Sequence, residues 1–99
     1  MNAGDLRALA FQVRDKLGSG IGVIGSAVDG KGAIVAFVTS DLVQAGLSAG
    51  DIAAAGATVL GGGGSRDPEL SQAGGPNGAE IEAAVSQAAT AAQEALASL

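Results

Sequence analysis

Cysteine, histidine, tyrosine and tryptophan are all missing from this 99-residue chain. Without cysteine there is no disulfide, no thiolate nucleophile and no zinc ribbon. Without histidine the usual general base and most transition-metal sites are lost as well. Phe11 and Phe37 are the only rings, so there is no array of aromatics of the sort on which single-strand nucleic-acid binders stack bases. No apolar run is long enough to span a bilayer. The opening, MNAGDLRALAF, lacks the basic segment and apolar run of a signal peptide, so a cytoplasmic location is expected. Positive charge is scarce too: five basic residues face ten acidic ones, for a net charge of −5.

What is present is enough for one domain, residues 1–99, and too little for two independent cores. Hydrophobic residues make up 47% of the chain and aromatics only 2%, so alanine carries much of the core. Such a core is shallow, and part of its apolar surface is expected to need another domain or a partner. Charge is unevenly spread. Residues 1–40 carry Arg7, Arg14, Lys16 and Lys31 against Asp5, Asp15 and Asp29, whereas residues 41–99 carry Arg66 alone against seven acids. Any polyanion must therefore be met by a local patch, with binding that weakens in salt.

Periodicity predicts the elements. Leu6, Leu9, Ala10, Val13 and Leu17 share one face of a helix that Asn2 caps and Gly18 stops. Arg7, Arg14 and Lys16 lie off that stripe, as a solvated face or a ligand patch. IGVIGSAV and AIVAFVTS flank Asp29-Gly30, a strong hairpin signal, and the second strand is apolar enough to be covered on both faces. GIGVIG at 20–25 matches the dinucleotide fingerprint only formally, because it follows a helix and lies inside a strand. Its small residues are expected to let a helix pack closely. A short helix is expected to be capped by Ser40 or Asp41. A second starts at the Ser48/Asp51 capping box, and a last, alanine-rich one at Asn77 and Glu80. The expectation is an α+β domain: a small β-sheet containing a hairpin, packed against helices, with a glycine-rich loop before the C-terminal helix.

That loop, GGGGSRDPELSQAGG at 61–75, is the candidate for chemistry. It is no Walker motif, since Ser-Arg stands where Gly-Lys-Ser/Thr is needed, and a serine triad would lack its histidine. Asp67 and Glu69 read better as turn and cap residues than as an acid/base pair, and their spacing resembles no calcium loop. No catalytic or metal-binding residue is expected. Consecutive glycine N–H groups can cradle an anion, with Arg66 as a bidentate donor and Ser65 and Gln72 as neutral ones. The same glycines can equally serve to let one chain segment cross close to another. Both readings stay open on the residues alone.

The segment LGGGGSRDPELSQAGGPN, set between a capped helix and an alanine-rich one, resembles the C-terminal domain of alanyl-tRNA synthetases, and the preceding elements follow that family in order and spacing. The family pattern here is a glycine run, a basic residue, Pro-Asp, a hydrophobe and Ala-Gln-Ala-Gly-Gly. This chain keeps Gly61 to Gly64, Pro68, Gln72, Ala73, Gly74 and Gly75, and has Leu70 for the hydrophobe. It departs at Glu69 and Ser71, at Asp67 where the basic residue belongs with Arg66 one place early, and at Ser48 where lysine is common. The resemblance implies a non-catalytic accessory domain that contacts the outer corner, or elbow, of alanine-specific tRNA and lets charging and editing act on one bound tRNA. It also implies contact with other domains of the parent enzyme and a contribution to dimerisation. No cofactor is expected in this domain; ATP and zinc belong elsewhere in the parent ligase. The expected tRNA-binding residues are Gly61, Gly62, Gly63, Gly64, Ser65, Arg66, Gln72, Gly74 and Gly75, assisted by Arg14 and Lys16. The rival expectations are a subunit-docking module with little RNA binding and, last, the substrate-binding half of a DHH-type phosphoesterase, whose Gly-Gly-Gly-His motif this chain lacks. With no helical linker ahead of Met1 and Asn2, the chain is expected to be a fragment of a longer synthetase.

Overall fold

Strand β2 (Lys31–Val38) organises the molecule, because six consecutive side chains from Ile34 to Thr39 are buried. In this computed structural model, which describes residues 3–64 and 67–99, β2 lies inside a four-stranded sheet of order β1-β2-β4-β3. Strand β1 (Ile21–Val28) pairs antiparallel with β2, from Ile21 opposite Val38 to Val28 opposite Lys31. Asp29 and Gly30 turn the hairpin with φ of 53° and 78°, as a two-residue turn with positive φ at both positions demands. On the other side β2 pairs with β4 (Leu70–Gly75), and β4 with the two-residue β3 (Gly63–Gly64).

Alternation along the strands sorts the core into two layers. Ile34, Ala36 and Val38, with Ile21 and Val23 of β1 and Ala73 of β4, face helices α3 (Ala49–Leu60) and α4 (Ile81–Ala97). Small residues let these layers approach: Ala84, Ala88 and Ala92 of α4 are buried, and a Cβ at Gly25 would strike Val85 and Ile81. Val35 and Phe37, with Leu70, face helix α1 (Ala3–Leu17), which contributes Leu6 and Ala10. Gly22 leaves the space that the Phe37 ring fills. The expected helix packing against GIGVIG is thus found at Gly25, and β2 is covered on both faces from Ile34 to Val38.

Three expectations need correction. Leu6 and Ala10 of α1 are buried, but Val13 and Leu17 are 39% and 47% exposed; Phe11 packs in their place, so the buried stripe is rotated towards β4. The short helix α2 (Ser40–Gln44) takes Thr39 as its N-cap, not Ser40 or Asp41. Ser48, Asn77 and Glu80 stand at helix starts, yet none makes a side-chain cap hydrogen bond. Asn77 opens a 3-10 turn (Gly78–Glu80) and α4 begins after it, so backbone bonds hold that junction: the Asn77 N–H donates to the Leu60 carbonyl at 3.0 Å and that of Gly78 to Gly30 at 2.9 Å. Asn2 lies outside the described residues.

Candidate functional site

Much of the stretch expected to be a glycine-rich loop is sheet. Helix α3 stops at Gly61, whose φ is 77°. The Gly61 N–H donates to the Thr58 carbonyl at 3.3 Å and that of Gly62 to Ala57 at 3.0 Å. This is the paired closure of a Schellman motif, in which glycine takes the left-handed position without strain. The chain then turns immediately into β3 and, past 65–66, into β4. A Cβ on Gly62 would fall on the carbonyl oxygen of Gly74, one on Gly64 on that of Gln72, and one on Gly75 on that of Leu60. These glycines let α3, β3 and β4 pass one another at backbone distance. The sequence missed β4 because Ser-Gln-Ala-Gly-Gly has low intrinsic strand propensity; pairing on both edges is what makes it extended.

The structure therefore brings Gly61 to Gly64 together with Gly74 and Gly75, with Gln72 one pleat along β4. It also limits what their amides can do, since those of Gly61 and Gly62 are already committed to capping α3. Gly63 differs, with open space around its Cβ position on the edge strand. Between α3 and β3 lies a cavity of about 260 Å³ lined by Ala54, Ala57, Thr58, Gly62, Gly63, Gly64 and Ala73. No charged side chain lines it. Ser65 and Arg66 lie outside the described residues.

Arg14 and Lys16 are not beside the glycines. Arg14 stands over the Phe11 ring, 4.7 Å from its centroid, and 3.9 Å from the Asp15 carboxylate. With Phe11, Asp67, Pro68 and Glu69 it lines a cavity of about 360 Å³ at the Leu70 end of β4, the end remote from Gly74 and Gly75. Two acids thus share the surroundings of that cation. Lys16 is exposed on a different side of α1, two residues and about 200° further round the helix. Arg7, by contrast, shares the stripe of Phe11 and Arg14, with its guanidinium 5.8 Å from the ring centroid. Its signal in the sequence was the 0, +4, +7 spacing of Arg7, Phe11 and Arg14.

One polar cluster fastens the top of the domain. Asp41 accepts hydrogen bonds from the Ser19 hydroxyl at 2.5 Å and the Thr39 hydroxyl at 2.6 Å, while Thr39 accepts the Gly20 N–H at 3.0 Å. The Ser19 bond, then that of Thr39, holds the Asp41 carboxyl below its ordinary range. This joins the end of α1 to the start of α2 and offers no nucleophile. Among the described residues no group of three or more acids is placed to hold a metal ion, and no helix is long and apolar enough to cross a membrane.

No protein-family model matches the chain. It is 45% identical over 87 residues to an alanine–tRNA ligase of Desulfosudis oleivorans, covering 88% of this chain. To those of Herpetosiphon aurantiacus and Natranaerobius thermophilus it is 40% identical, over 87 and 89 residues, covering 88% and 90%. The chain spans about 10% of the length of each of these curated relatives. Among solved structures, the C-Ala domain of Aquifex aeolicus alanyl-tRNA synthetase superimposes with a TM-score of 0.75 at 26% identity, covering 87% of this chain and 77% of that one.

Proposed function

We propose that this chain, a C-Ala domain of the alanyl-tRNA synthetase type, binds tRNA as a non-catalytic accessory to its parent ligase. The contact is with the outer corner of the folded tRNA, so that charging and editing act on one bound molecule. The observation that carries this reading is the match to alanine–tRNA ligases along almost the whole chain, reinforced by the likeness to a solved C-Ala domain. The chemistry of the surface agrees with it. The chain has no histidine or cysteine, and around the glycines it offers backbone amides, the Gln72 side chain and a few cations further off. Such groups can follow an RNA backbone and a tertiary shape, and they are poorly suited to reading bases.

The test is a titration of the 99-residue chain with labelled alanine-specific tRNA at low and physiological salt, against an unrelated tRNA and a linear RNA duplex. Preference for folded tRNA over duplex, weakening with salt, is expected. Equal binding to duplex and tRNA would reject elbow recognition, and no binding at either salt would reject an RNA role for this domain.

A second reading, subunit docking, is favoured by one specific feature. Strand β1 is an edge strand of eight residues without a charge or a proline, the features that usually blunt an open edge. Beside it, Ile21, Val23, Val85, Ala89 and Leu96 line an apolar groove of about 290 Å³. Light scattering decides it: a mass that rises with concentration supports docking between copies, and a strict monomer up to high concentration removes it.

A further inference from the structure

The two sides of the sheet differ in charge in a way that singles out one of them. All basic residues of the described chain, Arg7, Arg14, Lys16 and Lys31, lie on α1 or β2. Helices α2, α3 and α4 and the turn before α4 carry no cation and hold Asp41, Asp51, Glu80, Glu82 and Glu94. The described helical layer formed by α3 and α4 thus carries only negative charge, which disfavours a polyanion there. On the opposite side, α1 covers only part of the sheet. It packs on Ile24, Ala33, Val35, Phe37 and Leu70. The strand register places Ser26, Lys31, Gln72 and Gly74 on that same face, nearer the hairpin turn. Ser26, Gln72 and Gly74 are partly exposed, and Lys31 is exposed. Ser26 and Gly74 raise little side chain above this floor.

We infer that this floor, which the described residues leave partly exposed, is where the sugar-phosphate backbone of RNA lies, with Arg7 of α1 and Lys31 of β2 as its cations. The inference rests on the proposed tRNA-binding role and moves its centre from the glycine amides to the α1 face of the sheet. Arg7 is steadied by the Phe11 ring, which reduces the side-chain freedom it loses on gripping a phosphate. Arg14, on the same ring, lies 3.9 Å from the Asp15 carboxylate and lines a cavity with Asp67 and Glu69, so it contributes less. Lys31 sits in an extended strand, with alternate positions Ala33 and Val35 fixing its side. Small floor residues let the backbone approach closely enough for both cations to reach it, and the phosphate contacts position the RNA without reading its sequence.

The test compares four forms of the 99-residue chain for binding to folded alanine-specific tRNA: the parent, the double variant Arg7→Glu with Lys31→Glu, Arg7→Glu with Lys16→Glu, and the neutral pair Arg7→Gln with Lys31→Gln. The second pair makes the same change in net charge but leaves Lys31 in place. The expected result is a loss of about tenfold or more for Arg7→Glu with Lys31→Glu, and a smaller loss for the pair that keeps Lys31. Neutral Arg7→Gln with Lys31→Gln should lower the magnitude of the log–log salt slope by about two, one for each phosphate contact. All of the changes fall on three exposed side chains, Arg7, Lys16 and Lys31, and circular dichroism melts check that each form stays folded. Equal losses in the two charge-reversed pairs would reduce the effect to net charge and overturn the proposed floor. Unchanged binding in both, while the parent still binds, would also overturn it and leave the tRNA-binding role intact. A parent chain that binds no tRNA would overturn that role and the floor together.

Discussion

The two faces of the sheet solve the same burial problem with different materials. On the α1 face a small cluster is built around one large ring, Phe37, with Leu6, Ala10, Val35 and Leu70. On the other face, thirteen buried residues from β2, β4, α3, α4 and the turn before α3 pack together, eight of them alanines. The first face depends on filling space and the second on keeping it small. Interiors are packed at crystal density, so both arrangements tolerate little change, but in opposite directions. The difference reaches the surface as well: on the ring-built face the described residues leave part of the sheet exposed and carry the cations, and the alanine-built face ends in acidic helices.

Substitutions should expose that contrast. The largest effect is expected for Phe37→Ala, at about 3–5 kcal/mol, since the fully buried ring fills the space above Gly22. Chemical denaturation measures it, and a loss under 1 kcal/mol would show that the α1 layer collapses to refill the hole. Ala88→Leu breaks the other face by addition. Overpacking at this fully buried position should cost about 1–3 kcal/mol, with α4 displaced from the sheet. A neutral result would mean that the alanine layer has slack.

The smallest effect concerns the clamp at Asp41, which belongs to neither layer. Its folded carboxyl is held below the usual range by the Ser19 and Thr39 hydroxyls. Stability from this group is therefore complete above the unfolded carboxylate pKa, near 3.9, and is lost as pH falls through the folded value. Asp41→Asn should lower the melting temperature slightly at neutral pH and leave less of the acid-induced loss below pH 4. Identical pH–melting profiles for the two proteins would remove Asp41 from that role.

The parts of this architecture that were legible in the sequence are those where local chemistry and tertiary packing agree. Asp29-Gly30 specifies its turn by itself, and the apolar run from Ala33 to Val38 has no solution except burial on both sides. Leu6 and Ala10 were likewise readable, but the choice between Val13 and Phe11 as the next buried residue depends on where β4 lies, and β4 was invisible. Nothing in Leu70 to Gly75 favours a strand except the neighbours it pairs with. That is also why the site was only half readable. The sequence associates Gly61 to Gly64 with Gly74 and Gly75, and β3–β4 pairing brings them together. It does not disclose that two of their amides are spent on the end of α3, or that Arg14 sits beside Asp67 and Glu69 at the far end of the strand. Lys31 gave a signal only through its parity with Ala33 and Val35, which becomes meaningful once the uncovered face is known.

The most direct measurement is an NMR titration of the isotope-labelled chain with folded alanine-specific tRNA, following each backbone amide. The account predicts shifts and broadening at Ser26, Lys31, Ala33, Gly63, Gln72 and Gly74, with Arg7 on α1, while the amides from Glu82 to Leu96 stay unchanged. Perturbation centred on α4, with the α1 face of the sheet silent, would contradict it.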